Sequence, residues 1–210
     1  MGQPIKVKDA EDYVFGLVLL NDWSARDIQG WEYIPLGPFN AKNFATTISP
    51  WIITLDALEP FAVSLPEQEP TPLPYLKEEN LKSWDIPITV EMKSQKGNTF
   101  HKLSTTNYKF MYWTINQQIA HHTVTGCQLN VGDILGSGTI SGTGPEAYGS
   151  LFELTTNGKN KINVGEEQKT WIEDNDIVNM HAEIQGNGYM IGFGDCSGEI
   201  LPANPIDNYY

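Results

Sequence analysis

The chain has little of what several protein classes are built from. Its 210 residues include only two cysteines, Cys127 and Cys196. That is too few for a disulfide scaffold, and they lack the paired spacing of a metal site, so both read as buried thiols. Basic residues are scarce too: 13 Lys and Arg face 26 Asp and Glu, a net charge of −13. A field of that sign repels phosphate backbones and anionic headgroups, which argues against nucleic acid and membrane surfaces as partners. The longest apolar run, Val14 to Leu20, falls far short of the ~20 residues a spanning helix needs. The first residues, Met1 to Lys6, have no apolar centre or cleavage pattern, and no Asn-x-Ser/Thr acceptor occurs; a reducing, cytoplasmic address is expected. Also missing are the Gly-x-Ser-x-Gly elbow, the phosphate-binding Gly-rich loop, the dinucleotide fingerprint and His-Glu-x-x-His, so ordinary serine hydrolases, kinases and zinc proteases fall away.

What is present points to a β-rich domain. Hydrophobic residues at 40% and aromatics at 11% exclude disorder, and 19 Gly with 13 Pro cut the sequence into short apolar runs. Strands are predicted at Tyr13 to Leu20, Pro50 to Leu55, Ile86 to Lys93, Leu103 to Thr105, Asp133 to Gly136, Ser150 to Thr155, Thr170 to Ile172, Ile177 to Ile184 and Tyr189 to Phe193. Ile86, Ile88, Val90 and Met92 alternate with polar neighbours, the pattern of a half-buried strand. Tyr13 to Leu20 is apolar on both faces and predicts a central strand covered on both sides. One clear helix is expected, because Tyr108, Met111, Tyr112, Ile115, Ile119 and His122 recur at helical spacing before Gly126. Five prolines between Glu59 and Tyr75 predict an extended surface connection. No composition break divides the chain, so residues 1–203 read as one domain and 204–210 as a loose tail.

Chemistry concentrates in three segments. Asn21-Asp22-Trp23-Ser24-Ala25-Arg26-Asp27 follows the apolar strand directly, which would hold the Asp22 carboxylate at the sheet rim as hard divalent cations require. The alternative is a short helix through Gln29, capped by Asp22 or Ser24, with Arg26 and Asp27 solvated. Gln29 to Lys42 is a stiff aromatic loop in which Gln29, Tyr33 and Lys42 offer hydrogen bonds and Trp31 and Phe39 offer walls; a self-packed surface loop is the alternative. Gly136 to Pro145 allows close backbone approach to a ligand, or a set of tight turns. Glu153 lies in an alternating run, Leu151-Phe152-Glu153-Leu154, that faces it to water by default. His121 and His122 point about 100° apart on a helix and do not share one ion.

Together these segments resemble the carboxy-terminal part of the fumarylacetoacetate hydrolase family. The Asn21 to Asp27 motif is similar to one shared across the family, and the narrower signals are Trp31 to Phe39, Tyr108 to Thr114 and Gly138 to Gly142. The likeness runs from about Gly2 to Pro202. It implies a mainly β, β-rich α+β fold, a β-roll with one clear helix. It also implies hydrolysis of the carbon–carbon bond of 4-fumarylacetoacetate to fumarate and acetoacetate, the last step of tyrosine and phenylalanine catabolism, with Ca²⁺ or Mg²⁺ and a homodimer. By position, the resemblance implies Asp22 as a metal carboxylate, with Lys42 and Thr46 beside the metal. Gln29, Tyr33 and Thr139 would bind substrate, Lys42 and Glu153 would be catalytic, and Glu153 would turn inward to orient a histidine. The family's histidine and other metal carboxylates lie upstream of the Asn-Asp-Trp motif. Only Asp9, Glu11 and Asp12 are acidic among the 20 residues before Asn21, so an incomplete chain is expected, one that dimerises or aggregates through unpaired sheet edges. Two other readings stay open: a family hydrolase or decarboxylase acting on another 2-oxo or diketo acid, and a non-catalytic β-rich subunit.

Overall fold

The computed structural model describes residues 2–205. Strands β1 (Gly16–Leu17), β2 (Leu20–Asp22), β3 (Thr46–Ile48), β4 (Ile53–Thr54), β5 (Ala62–Ser64) and β6 (Lys82–Trp84) form three two-stranded antiparallel pairs, β1 with β4, β2 with β3 and β5 with β6. Strands β7 (Pro87–Lys93), β8 (His101–Asn107), β11 (Ile177–Gln185), β12 (Met190–Gly192) and β13 (Cys196–Glu199) build the central antiparallel sheet. Its order is β12-β11-β7-β8, with β13 on β11, while β9 (Ile162–Val164) and β10 (Glu167–Lys169) make a separate hairpin. The helices are short: α1 (Arg26–Glu32), α2 (Asn40–Asn43), α3 (Leu55–Leu58), α4 (Ile115–Thr123) and α5 (Leu151–Leu154). The fold is a β-rich α+β domain.

The alternating run keeps its period except at Val90, which is half-buried like Thr89 and Glu91 where the pairing with β8 shifts register. Ile86, Ile88 and Met92 are buried and Ile88 joins Trp84, Tyr108, Ala182, Ile184 and Phe193 in the core, because residues two apart on a pleated strand share a face. Cys196 is buried there, and burial raises its thiol above the ordinary value, so it stays protonated and inert. Cys127, by contrast, is exposed, which corrects its assignment as a buried thiol.

Several expectations give way to local chemistry. Tyr13 to Leu20 is not a covered central strand: Tyr13 ends a 3₁₀ turn, β1 and β2 each pair on one side only among the described residues, and Phe15 is 73% exposed. The helix expected from Tyr108 begins later, since Thr114 and Gln117 form a capping box that starts α4, and Tyr108–Phe110 is a 3₁₀ turn. Asp133 to Gly136 is irregular rather than a strand and follows a turn at Val131 and Gly132 closed by reciprocal bonds between Asn130 and Asp133. The strand expected at Thr170 to Ile172 stops at Lys169, because Asp176 gathers the Lys169 ammonium and the Glu173 and Gln95 amides into a turn. Ser150 to Thr155 is helical, for a reason that belongs to the site. Ala203 to Pro205 are exposed, and the rest of the expected tail lies outside the described residues.

The proline-rich stretch is only in part the extended connection expected: a 3₁₀ turn at Glu59–Phe61 and strand β5 occupy its start, with Phe61 and Ala62 packed on the core, and the rest is pinned at one buried point. Gln68 and Gln117 exchange side-chain hydrogen bonds of 3.0 and 2.7 Å. Gln68 also donates to the Tyr112 carbonyl and Gln117 to the Leu76 carbonyl. Every polar group of that clasp has a partner, as burial demands, and it fixes the segment Met111 to Thr114 from behind.

Candidate active site

The β2–β3 pairing sets Thr46 directly across from Asp22. Trp23 turns inward, and its indole N–H donates to Thr47 Oγ1 at 2.8 Å, which locks that pairing and leaves Asp22 at the rim. From α2, Lys42 reaches back so that its Nζ sits 2.6 Å from Asp22 Oδ2. Asp22, Lys42 and Thr46, distant in sequence by up to 24 positions, therefore converge on one patch.

A second group lines an open groove of 580 Å³ bounded by Arg26, Phe110, Trp113, Thr139, Phe152 and Glu153, among others. Glu153 sits on α5 because Ser150-x-x-Glu153 is a capping box signature: the Ser150 hydroxyl accepts from the Glu153 N–H and donates to its carboxylate at 2.8 Å. That pattern overrides the strand alternation, and a helix turn rather than a pleat aims Glu153 at the groove. Ser141 Oγ lies 2.9 Å from both carboxylate oxygens. Gly142 in the neighbouring turn serves the groove wall, since a methyl there would sit 2.5 Å from the Phe110 ring.

Arg26 connects the groove to helix α1. Its guanidinium lies 5.0 Å from the Phe152 ring centroid, and Nη1 donates to Gln29 Oε1 at 2.9 Å. Gln29 is thus tied to Arg26 and does not itself line the groove. Neither Asp22 nor Ser24 caps α1: the cap position is Ala25, with no side-chain bond. Tyr33 stands half-exposed just past the end of α1, and its hydroxyl has no hydrogen-bond partner among the described residues.

The four histidines lie elsewhere. His121 meets the Tyr75 hydroxyl, His122 the Gln128 carbonyl, His101 the Thr99 hydroxyl, and His181 lies 3.8 Å from Glu91. None hydrogen-bonds to Glu153. Among the described residues no group of three or more His, Cys, Asp or Glu side chains could hold a metal ion. Asp22 is the one carboxylate of its patch and is engaged by Lys42, so the residues present do not fit a divalent cation by themselves. No helix among them is long and apolar enough to cross a membrane.

Residues 2–200 match the model of the fumarylacetoacetate (FAA) hydrolase C-terminal domain. The chain belongs to the fumarylacetoacetate hydrolase family. Within it, the chain is 54% identical over 207 residues to the fumarylacetoacetase of Dictyostelium discoideum, covering 97% of this chain and 48% of that one. It is 52% identical to the Arabidopsis thaliana fumarylacetoacetase and 49% to the Homo sapiens one, each time across 97 to 98% of this chain and 49% of the relative. The chain spans about half the length of the curated relatives it matches.

For this member of the family, sequence reasoning missed Arg26, set aside as solvated, together with Ser141 and Ser150. Two signals were available. Arg26 and Gln29 are three apart, neighbours on a helix face, and the capping box was legible at Ser150. Ser141, which reaches Glu153 across a loop, left no local signal.

Proposed function

We propose that this chain supplies the carboxy-terminal part of a site that hydrolyses 4-fumarylacetoacetate. Water adds to the carbonyl, the adjacent carbon–carbon bond breaks, and its electron pair leaves as the enolate of acetoacetate, which takes up a proton; fumarate is the other product. The observation that supports this reading most is the groove in which Arg26, Thr139 and the serine-bound Glu153 meet, with Asp22 of the Asp22–Lys42–Thr46 patch just before Arg26 in the same segment. Arg26 has no carboxylate partner among the described residues, so its charge is available to substrate oxygens. Lys42 is half-neutralised by Asp22, which makes its field weaker at the groove than its charge alone suggests. Thr139 and Gln29 offer hydrogen bonds for orientation, and Phe110, Trp113 and Phe152 give the groove an apolar wall. Glu153 is held ready to accept a third hydrogen bond, from a base that this chain does not provide.

In this reading Ca²⁺ or Mg²⁺ binds only when carboxylates from outside this chain join Asp22. The folded 210-residue chain alone is expected to leave the diketone absorbance of fumarylacetoacetate unchanged. Co-expression with the upstream half of the 54%-identical Dictyostelium relative is expected to yield turnover that needs Ca²⁺ or Mg²⁺ and disappears with Asp22→Ala. A folded, assembled pair without turnover would sink the proposal.

The assembled protein is further proposed to work as a cytoplasmic homodimer. Seven large apolar residues between Ile28 and Phe44 are 42 to 90% exposed, Trp31 and Leu36 most of all. A patch of that density marks a surface that another surface covers. Sedimentation velocity of the co-expressed pair is expected to give one species containing two copies of each part; a single-copy species at micromolar concentration would refute the dimer.

A further inference from the structure

Helices α1 and α2, which carry Arg26 and Lys42, meet at Ala41 and through the Glu32 carboxylate. Ala41, immediately before Lys42, is wholly buried. Its carbonyl accepts from the N–H of Ala25 at the start of α1, at 3.0 Å. Its own N–H donates to the carboxylate of Glu32 at the end of α1, at 2.8 Å. Glu32 also accepts from the N–H groups of Phe39 at 2.6 Å and Asn40 at 3.2 Å. Helix α2 has no capping side chain of its own, since the residue at its cap position is Phe39. Three orphan N–H groups at its start are therefore satisfied by a residue seven to nine positions upstream.

We propose that Glu32 is a positioning residue of the site: by gripping the Phe39–Ala41 amides it sets Lys42 and its Asp22 partner in register with Arg26 and Gln29 on α1. The inference rests on the functional reading above, but its geometry is independent of turnover. The connection from Tyr33 to Pro38 is largely exposed, and its Gly37 N–H bonds back to Tyr33, so among the described residues no hydrogen bond within it couples the two helices. The Ala25–Ala41 bond fixes one end of α1, and Glu32 the other. Consistent with the grip, the Ala41 N–H above all, helped by Phe39 and Asn40, holds the Glu32 carboxyl below the ordinary carboxylate range.

The chemistry of the grip separates positioning from charge. Phe39 and Ala41 both donate to Oε1, and Asn40 alone to Oε2. Glutamine keeps one acceptor oxygen and so two of the three bonds; alanine keeps none, and aspartate keeps the charge but withdraws the oxygens by one methylene. The test compares Glu32→Gln, Glu32→Ala and Glu32→Asp in the 210-residue chain. Lys42 acylation by N-hydroxysuccinimidyl acetate is followed by mass spectrometry, beside circular-dichroism melting. Lys42 should react about as slowly in Glu32→Gln as in the unaltered chain, and several-fold faster in Glu32→Ala and Glu32→Asp, with Lys96 unchanged in all. If alanine prevents folding, the aspartate and glutamine pair decides alone. Lys42 reactivity within twofold across folded variants would overturn the proposal, whatever the melting temperatures, because a merely structural cap would lower those without freeing Lys42. In the co-expressed pair, Glu32→Ala should lower kcat/KM about 10²-fold, the usual result of misplacing a group by about 1 Å, and Glu32→Gln should restore it. If that pair shows no turnover while Lys42 responds as stated, the functional reading fails and the positioning role stands.

Discussion

Lys169→Met is expected to cost about 3–5 kcal/mol of folding free energy, measured by urea unfolding at neutral pH. Lys169 is buried, and its Nζ meets Asp176 at 2.8 and 2.9 Å and Glu173 at 2.7 Å. Asp176 is fully buried and would keep only the Gln95 and Glu173 amides as partners. The loss thus comes from an uncompensated buried charge rather than from the worth of the pair itself. Lys96→Met is the control, since Lys96 is 80% exposed in its pair with Glu167 and should cost at most about 1 kcal/mol. Burial alone would pull the Lys169 ammonium down, but its hydrogen bonds to Asp176 and Glu173 outweigh burial and hold it above its ordinary value. A raised folded value means that this contribution is whole below the unfolded pKa, near 10.4, and fades as pH climbs through the higher folded one. The gap between variant and unaltered chain should therefore be flat near neutrality and close in alkali. A variant within about 1 kcal/mol of the unaltered chain at pH 7 would refute the account.

The second large effect is on catalysis. In the co-expressed pair, Arg26→Met should lower kcat/KM for fumarylacetoacetate by about 10²–10³-fold, the range for losing one preorganised donor from a developing oxyanion. Methionine keeps much of the stem that packs near Phe152 and removes only the guanidinium. If Arg26 acts on charge that develops in the transition state, kcat falls with little change in KM; a pure rise in KM would reassign it to binding a substrate carboxylate. Asp27→Asn, one residue away and bonded only to the Ile28 amide, should stay within about twofold. Equal losses at both positions would mean that α1 had moved and that Arg26 has no special role.

Where the chain obeys one period over many residues, the sequence was sufficient. The alternation from Ile86 to Met92 and the long strand from Ile177 give the central sheet, although Val178 and Asn179, neighbours on opposite faces of the second strand, are both buried. The helix around Ile115 to His122 was visible too, but its start depended on one capping box. Short elements were less legible. Ser150 to Thr155 satisfies strand alternation and a helix cap at once, and the two hydrogen bonds between Ser150 and Glu153 decide between them. Tyr13 to Leu20 has the composition of a covered strand, yet coverage depends on neighbours that composition does not reveal.

The candidate site divides along the same line. The sequence by itself determined the family, the β-rich class and the chemical identity of Asp22, Gln29, Lys42, Thr46, Thr139 and Glu153, since motifs are local and travel with their residues. Only the tertiary structure decided that Lys42 closes on Asp22, that Ser141 and Ser150 hold Glu153, and that Arg26 lines the groove with no carboxylate partner among the described residues. Ion pairing and hydrogen bonding act over about 3 Å through space. The segments that meet there, Arg26 and Phe152 for example, lie more than a hundred residues apart in sequence, and no local pattern encodes such a distance.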